Sequence, residues 1–215
     1  KVRFEIYTIL FIIIHLYRVL TDQKFIMSLK YFVKKKTCRL CKSNQLEFLL
    51  KLPNIPLVDD YCQKKNIKKN LRKFPLELVK CLVCRHVQLS IVVNPNILYK
   101  KYIYESSSST DLKNHFRNYY ISLSKKIDLK KDSLIVDIGS NDGLFLKNFK
   151  PRFKNILGID PSPIAKIANQ NGIKTIKSYF NKDVCNQILK RRGNVKLITA
   201  NNVFSHIDDI NTCLI

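Results

Sequence analysis

Between residues 134 and 162 the chain follows a pattern that few folds can accommodate. The apolar run Leu134-Ile135-Val136 leads directly into Asp137-Ile138-Gly139-Ser140-Asn141-Asp142-Gly143. A second run, Asn155 to Ile159, ends in Gly158-Ile159-Asp160-Pro161-Ser162. This predicts a strand, a tight turn into a helix, and a second strand with an acid at its tip. Two further strands are expected at Ile173–Ile176 and Val195–Thr199, with helical spacing over Ile164–Asn169 and Val184–Leu189. Strands alternating with helices at this spacing give βαβ units and a parallel sheet, whose ligands sit at the carboxyl ends of the strands. The composition changes at the same place: all 5 glycines lie at or beyond residue 139.

The turn has its own chemistry. Gly139 and Gly143 allow the backbone to approach a ligand closely where the strand gives way to a helix. Asp160 can accept hydrogen bonds from both hydroxyls of an adenosine ribose. It lies 17 residues after Gly143, near the ~20 expected of such a unit. The G-x-G-x-x-G dinucleotide fingerprint is missing, and an acid stands two residues before the first glycine. Asp137 would repel a pyrophosphate, yet it can help hold the ammonium of a methionine moiety, directly or through water. The pattern therefore favours S-adenosylmethionine over NAD. The candidate donor-binding residues are Asp137, Gly139, Ser140, Asn141, Asp142, Gly143, Asp160, Pro161, Phe180 and Asn201. Phe180, after the third strand, could stack near adenine or serve as core. The competing reading of the turn is a glycine turn in an α/β domain without a cofactor.

Seven cysteines include two C-x-x-C pairs, Cys38/Cys41 and Cys81/Cys84, separated by the 39 residues 42–80, while Cys62, Cys185 and Cys213 stand alone. Paired spacing with an odd total argues for a metal in a reducing compartment rather than a disulfide framework. Two thiolates on each tight turn complete a closed tetrahedral Zn²⁺ site of structural character. Buried or free cysteine pairs are the alternative. Leu52, Pro53, Ile55, Pro56 and Leu57 supply extended chain for the return between the knuckles, and residues 87–93 read as a strand. Knuckles favour Gly after the second Cys for its positive φ, but Lys42 and Arg85 stand there.

The expected organisation is therefore α/β. It comprises an extension over 1–36, a small four-cysteine zinc-binding module over 37–95, a helical connector on the substrate side over 96–131, and a Rossmann-like domain over 132–215. The connector contains the polar loop Ser106–Asp111, leading into a helix with Leu112, Phe116, Tyr120 and Leu123. The apolar run Ile6–Leu20 is shorter than the ~20 residues of a bilayer span, which disfavours a membrane and leaves an anchor there as the alternative. The only Met is Met27, and translation is expected to start there. The final residues read as an interrupted helix, so the sheet is expected to be truncated. A net charge of +23 comes mostly from scattered Lys. This reads as a solvated surface, disfavouring nucleic acid and suiting a diphosphate-bearing substrate.

The ordered motifs carry a resemblance. Cys38-x-x-Cys41, Pro56-Leu57, Phe74-Pro75-Leu76-Glu77-Leu78 and Cys81-x-x-Cys84-x-His86-Val87-Gln88-Leu89 come first. Tyr102-x-Tyr104-x-Ser106, the 137–143 turn, Gly158–Ser162 and Ala200-Asn201-Asn202-Val203-Phe204-x-His206-Ile207-Asp208-Asp209 follow. The series resembles the zinc-domain class I methyltransferases that include sugar C-methyltransferases, and Asn141 within the turn is typical of that group. The resemblance implies an enzyme that methylates the carbon beside the ketone of a nucleotide-diphosphate deoxysugar, and the thiol pairs need a reducing, cytoplasmic setting. A Glu-His pair beyond residue 215 is then the expected base, which makes this chain inactive by itself. His206 and Tyr104 become candidate active-site residues, with helix capping for His206 and plain packing for Tyr104 as alternatives. The rival reading is a zinc-ribbon module binding nucleic acid or another partner, attached to a non-catalytic nucleotide domain.

Overall fold

The computed structural model describes residues 31–59 and 71–214. The Ile6–Leu20 run, the start expected at Met27 and Cys62 lie outside the described residues.

Strands β1 (Phe32–Lys34), β2 (Leu46–Ile55), β3 (Phe74–Cys81), β4 (Val87–Leu89) and β5 (Ile91–Val93) build the first module. β2 and β3 form an antiparallel pair from Leu46↔Cys81 to Ile55↔Phe74. The apolar segment expected to return between the knuckles is thus one arm of a hairpin. The strand expected over 87–93 is broken at Ser90. β4 pairs with β3, whereas β5 pairs with β1. The buried Ser90 makes the switch: its amide donates to the Glu77 carbonyl at 2.9 Å and its hydroxyl to the Glu77 carboxylate at 3.0 Å. A hydroxyl bonded sideways into β3 satisfies the chain where it changes sheets.

Helix α1 (Pro95–Tyr99), a 3₁₀ turn (Ser106–Ser108) and α2 (Thr110–Lys126) follow. Ser109 caps α2, its Oγ accepting the Leu112 amide at 3.2 Å, one of the orphan donors of a helix start. The last unit runs β6 (Leu134–Ile138), α3 (Leu144–Lys147), β7 (Ile156–Ile159), α4 (Ala165–Gln170), β8 (Thr175–Ile176), α5 (Lys182–Arg192) and β9 (Val195–Ala200). A 3₁₀ turn (Phe204–His206) and α6 (Ile210–Leu214) end it. The four strands lie in the order β8-β7-β6-β9, all parallel, as in a Rossmann-like fold.

Strand alternation divides the core. Ile135 faces one cluster with Phe116, Phe145, Phe149 and Phe153, while Leu134 and Val136 face another with Leu157, Val184 and Ile188. α2 is stitched to the first cluster by rings: Tyr119 stacks on Phe145 at 5.1 Å and Tyr120 meets Phe149 edge-on at 4.7 Å. Such pairs add about 0.5–1.5 kcal/mol beyond burial. Among the described residues no helix is long and apolar enough to cross a membrane.

Candidate active site and metal centre

The two knuckles repeat one geometry. The Cys38 amide donates to the Ser43 carbonyl and the Lys42 amide to the Cys38 carbonyl; Cys81, His86 and Arg85 repeat the arrangement. Lys42 (φ 63°) and Arg85 (φ 66°) occupy the left-handed region. The turn demands that conformation at a cost of order 1 kcal/mol each, although neither residue is Gly. Gln88 is buried and holds the first knuckle, accepting the Arg39 amide at 2.7 Å and donating to the Thr37 carbonyl at 3.2 Å.

The four sulfurs lie within 4.8 Å of one another. Cys38 and Cys84 approach to 3.6 Å and Cys41 and Cys81 to 3.5 Å. A disulfide needs about 2.05 Å, whereas a tetrahedron with Zn–S near 2.3 Å has edges of about 3.8 Å. Backbone hydrogen bonds from Cys84 and Val83 push the Cys81 thiol down to about 6. At Cys84 a backbone hydrogen bond from His86 favours the thiolate, but desolvation and the three neighbouring sulfurs outweigh it and push the group up to about 12. Four crowded sulfurs that cannot all ionise unaided fit a divalent cation, and Zn²⁺ is the metal this ligand set takes. With four Cys ligands no position is left for water or substrate, so its role is structural.

At the carboxyl end of the sheet, β6 enters its turn through Gly139 (φ 67°), Asn141 (φ 52°) and Gly143 (φ 79°). A Cβ on Gly139 would fall 2.5 Å from a methyl of Val203. Asn tolerates the left-handed region better than most residues, which lets Asn141 stand in the turn between the two glycines. Its amide donates to the Asp160 carboxylate at 2.9 Å, so turn and acid meet at the strand ends. The other Asp160 oxygen accepts the Ser162 amide at 2.8 Å and the Ser162 hydroxyl at 2.5 Å. Three of about four lone-pair sites are thereby used. One acceptor position is left for a donor group from outside the turn. Pro161 is half-buried beside it.

Asp137 is buried, and its Oδ1 accepts the Thr199 hydroxyl of β9 at 2.7 Å. Burial pushes its carboxyl up to about 7; the Thr199 bond opposes the rise and the nearby Asp160 adds to it. Nearby buried polar atoms lack partners among the described residues: Asn201 Nδ2, just past β9, and Ser140 Oγ. An unsatisfied buried donor costs about 1–3 kcal/mol, which a polar ligand at the mouth would offset.

The side chains of Asn141 and Asp142 turn towards the connector. Asn141 accepts the Ser106 amide at 2.8 Å and donates to the Tyr104 carbonyl at 2.9 Å. Asp142 accepts the Ser107 amide at 3.1 Å and the Leu144 amide at 3.1 Å. The serine cluster is therefore fastened to the glycine turn. Sequence reasoning missed this tie, and it missed a row of tyrosines. Tyr99 meets Tyr102 at 6.0 Å and Tyr179 at 6.2 Å, and Tyr102 meets Tyr104 at 6.5 Å. Burial and then the Asp160 charge push the Tyr99 phenol up. Phe180 packs against the second core cluster; its neighbour Tyr179 is the aromatic that reaches Tyr99. The only signal was the tyrosine spacing at 99, 102 and 104.

His206 is exposed at the end of the 3₁₀ turn after β9. The residues following it are gripped by the first knuckle. Lys35 and Arg39 pair with Asp208 at 3.0 and 3.3 Å, and Lys42 with Asp209 at 3.2 Å. Arg39 also donates to the Ile207 carbonyl, and the Asn211 amide group to the Leu40 carbonyl at 2.7 Å.

Known proteins repeat both halves. A zinc binding domain model matches residues 38–99 and a methyltransferase domain model matches residues 113–214. The chain thus joins a zinc binding domain to a methyltransferase domain. The methyl donor of such domains is S-adenosylmethionine, which the turn and Asp160 fit. The C-methyltransferase NovU of Streptomyces niveus is 29% identical over 178 residues, covering 82% of this chain. The chain spans 42% of the length of that relative.

Proposed function

We propose that this chain is the metal-binding and donor-binding part of an enzyme that transfers a methyl group from S-adenosylmethionine to carbon. The acceptor is a nucleotide-diphosphate keto-deoxysugar, methylated beside its ketone. The Asn141–Asp160 contact supports this most directly, because it brings the glycine turn and the acid to one point at the sheet's carboxyl end. The similarity to a C-methyltransferase supports carbon as the methylated atom.

When bound, the donor supplies an electrophilic methyl group. Asp160 would hold the ribose hydroxyls, the 139–143 backbone would line the methionine side, and Asp137 would face the ammonium. Asn201 would offer its unpartnered amide. Tyr104 and His206 would stand on the acceptor side, from the connector and from the turn after β9. Carbon attack also needs a base to remove the proton α to the ketone and an in-line approach to the methyl.

Calorimetry on the zinc-loaded 215-residue chain tests donor binding. One S-adenosylmethionine per chain is expected, lost in Asp160→Asn. No heat from the methyl donor, together with salt-dependent binding of oligonucleotides, would favour a nucleic-acid module instead. In the complete protein, a keto-sugar nucleotide deuterated at the α-carbon should lose deuterium and gain one methyl. Retention of that deuterium would exclude the carbon reaction.

A further inference from the structure

The sheet has a second end, and a basic cavity opens there. β7 begins at Ile156, β8 follows Lys174, and α5 finishes at Arg192 just before β9. Between these starts lies an open cavity of about 720 Å³, within the range of small-ligand sites. Lys150, Lys154, Lys174, Arg191 and Arg192 line it, and the remaining lining residues, Phe153 among them, carry no charge. Five of nine lining positions are cationic, whereas fewer than one residue in five of the chain is Lys or Arg. The diffuse charge anticipated from composition is therefore concentrated here about threefold.

Ordinary structural duties account for only part of this. Arg191 and Arg192 sit in the last turn of α5, where cations favour the helix dipole. Lys150, Lys154 and Lys174 belong to no helix. None of the five makes an ion pair with a carboxylate among the described residues. The Lys150 ammonium lies 2.7 Å from where a Cβ on Gly172 would stand, so the turn at Gly172 leaves the space that this cation occupies. Unneutralised like charges in one concavity repel one another, and a compact anion of high charge relieves that repulsion. The ring of Phe153 is buried and offers no exposed face for stacking bases, which disfavours single-stranded nucleic acid.

We infer that this cavity binds a compact polyanion carrying two or more phosphate groups, at a site separate from the donor pocket. The parallel strands hold the two sites apart, since the donor turn and Asp160 lie at the carboxyl ends of β6 and β7. The phosphates could belong to free inorganic polyphosphate or to the tail of a nucleotide, and the test separates these sources.

Calorimetry on the zinc-loaded chain is run with pyrophosphate, with a nucleoside diphosphate and with a short DNA duplex, at two salt concentrations. The expected result is one pyrophosphate per chain, weakened at higher salt and at least tenfold weaker in Lys154→Glu/Lys174→Glu. Both side chains are exposed, and Lys154→Arg/Lys174→Arg should restore binding. Asp160→Asn should leave it unchanged, and that arm separates this site from the donor pocket. Tighter binding of the nucleoside diphosphate, lost with the same lysines, identifies a nucleotide tail as the source. Absent pyrophosphate binding, binding insensitive to the lysine reversal, or a duplex bound more tightly than either small anion would overturn the inference.

Discussion

At the scale of single residues, two positions carry most of the consequence. Asp137 rises from an ordinary 3.8 to about 7 because it is buried. Since its folded value exceeds its unfolded one, the folded chain holds an extra proton between roughly pH 4 and 7. Stability from this group is present below that window and is lost as pH rises through 7. A bound ammonium favours the ionised form, so donor affinity should fall below about pH 7, by up to tenfold per unit. Calorimetry in buffers of different ionisation enthalpy should show proton release when the donor binds just below that pH. Asp137→Asn should flatten the profile; a wild-type affinity that does not change with pH would separate Asp137 from the donor. Gly158 is constrained by space. A Cβ there would sit 2.3 Å from the Ser140 hydroxyl and 2.6 Å from that of Thr175. Both hydroxyls are on short, buried side chains that cannot swing away. Gly158→Ala should therefore cost about 1–3 kcal/mol in denaturant unfolding, and a cost near zero would mean that the strands part freely.

At the scale of elements, the knuckle and the turn after β9 form one mechanical piece. Removing the metal frees Cys38 and Cys41 and with them the loop bearing Arg39 and Lys42. Chelation, or Cys38→Ser, should speed amide exchange across residues 207–211 as well as within the knuckle. Arg39→Ala should reproduce the effect at 207–211 with zinc still bound. Unchanged exchange there in both cases would show that the contact has no holding role. The elements also show what was legible beforehand. The parallel strands and the glycine turn could be read because apolar runs and turn residues are local signals. The break at Ser90 could not, because it depends on Glu77 in another strand. Nor could the fastening of Ser106 and Ser107, because it needs acceptors on Asn141 and Asp142, 35 residues away.

At the scale of the whole molecule, charge and apolar surface gather in places that no local pattern marks. The basic residues around Lys174 come from three separated stretches and meet only when the sheet is built. The hairpin edge is a second case. Phe48, Leu49, Leu50, Leu52 and Ile55 of β2 are between 39% and 60% exposed, and β2 has a strand on one side only among the described residues. Unshielded apolar edges promote strand pairing between chains. Light scattering should show association that grows with concentration and is suppressed by Phe48→Lys, with donor binding intact. A strictly monomeric chain at high concentration would show that the edge is protected.

The bonds from Asn141 and Asp142 to residues 104–107 have a kinetic corollary. Whatever stiffens the glycine turn also stiffens the tyrosine stretch hung from it, so the two reactants should enter in sequence, methyl donor first. In chains saturated with donor alone, the amides of Ser106 and Ser107 should already be slow to exchange before any acceptor arrives.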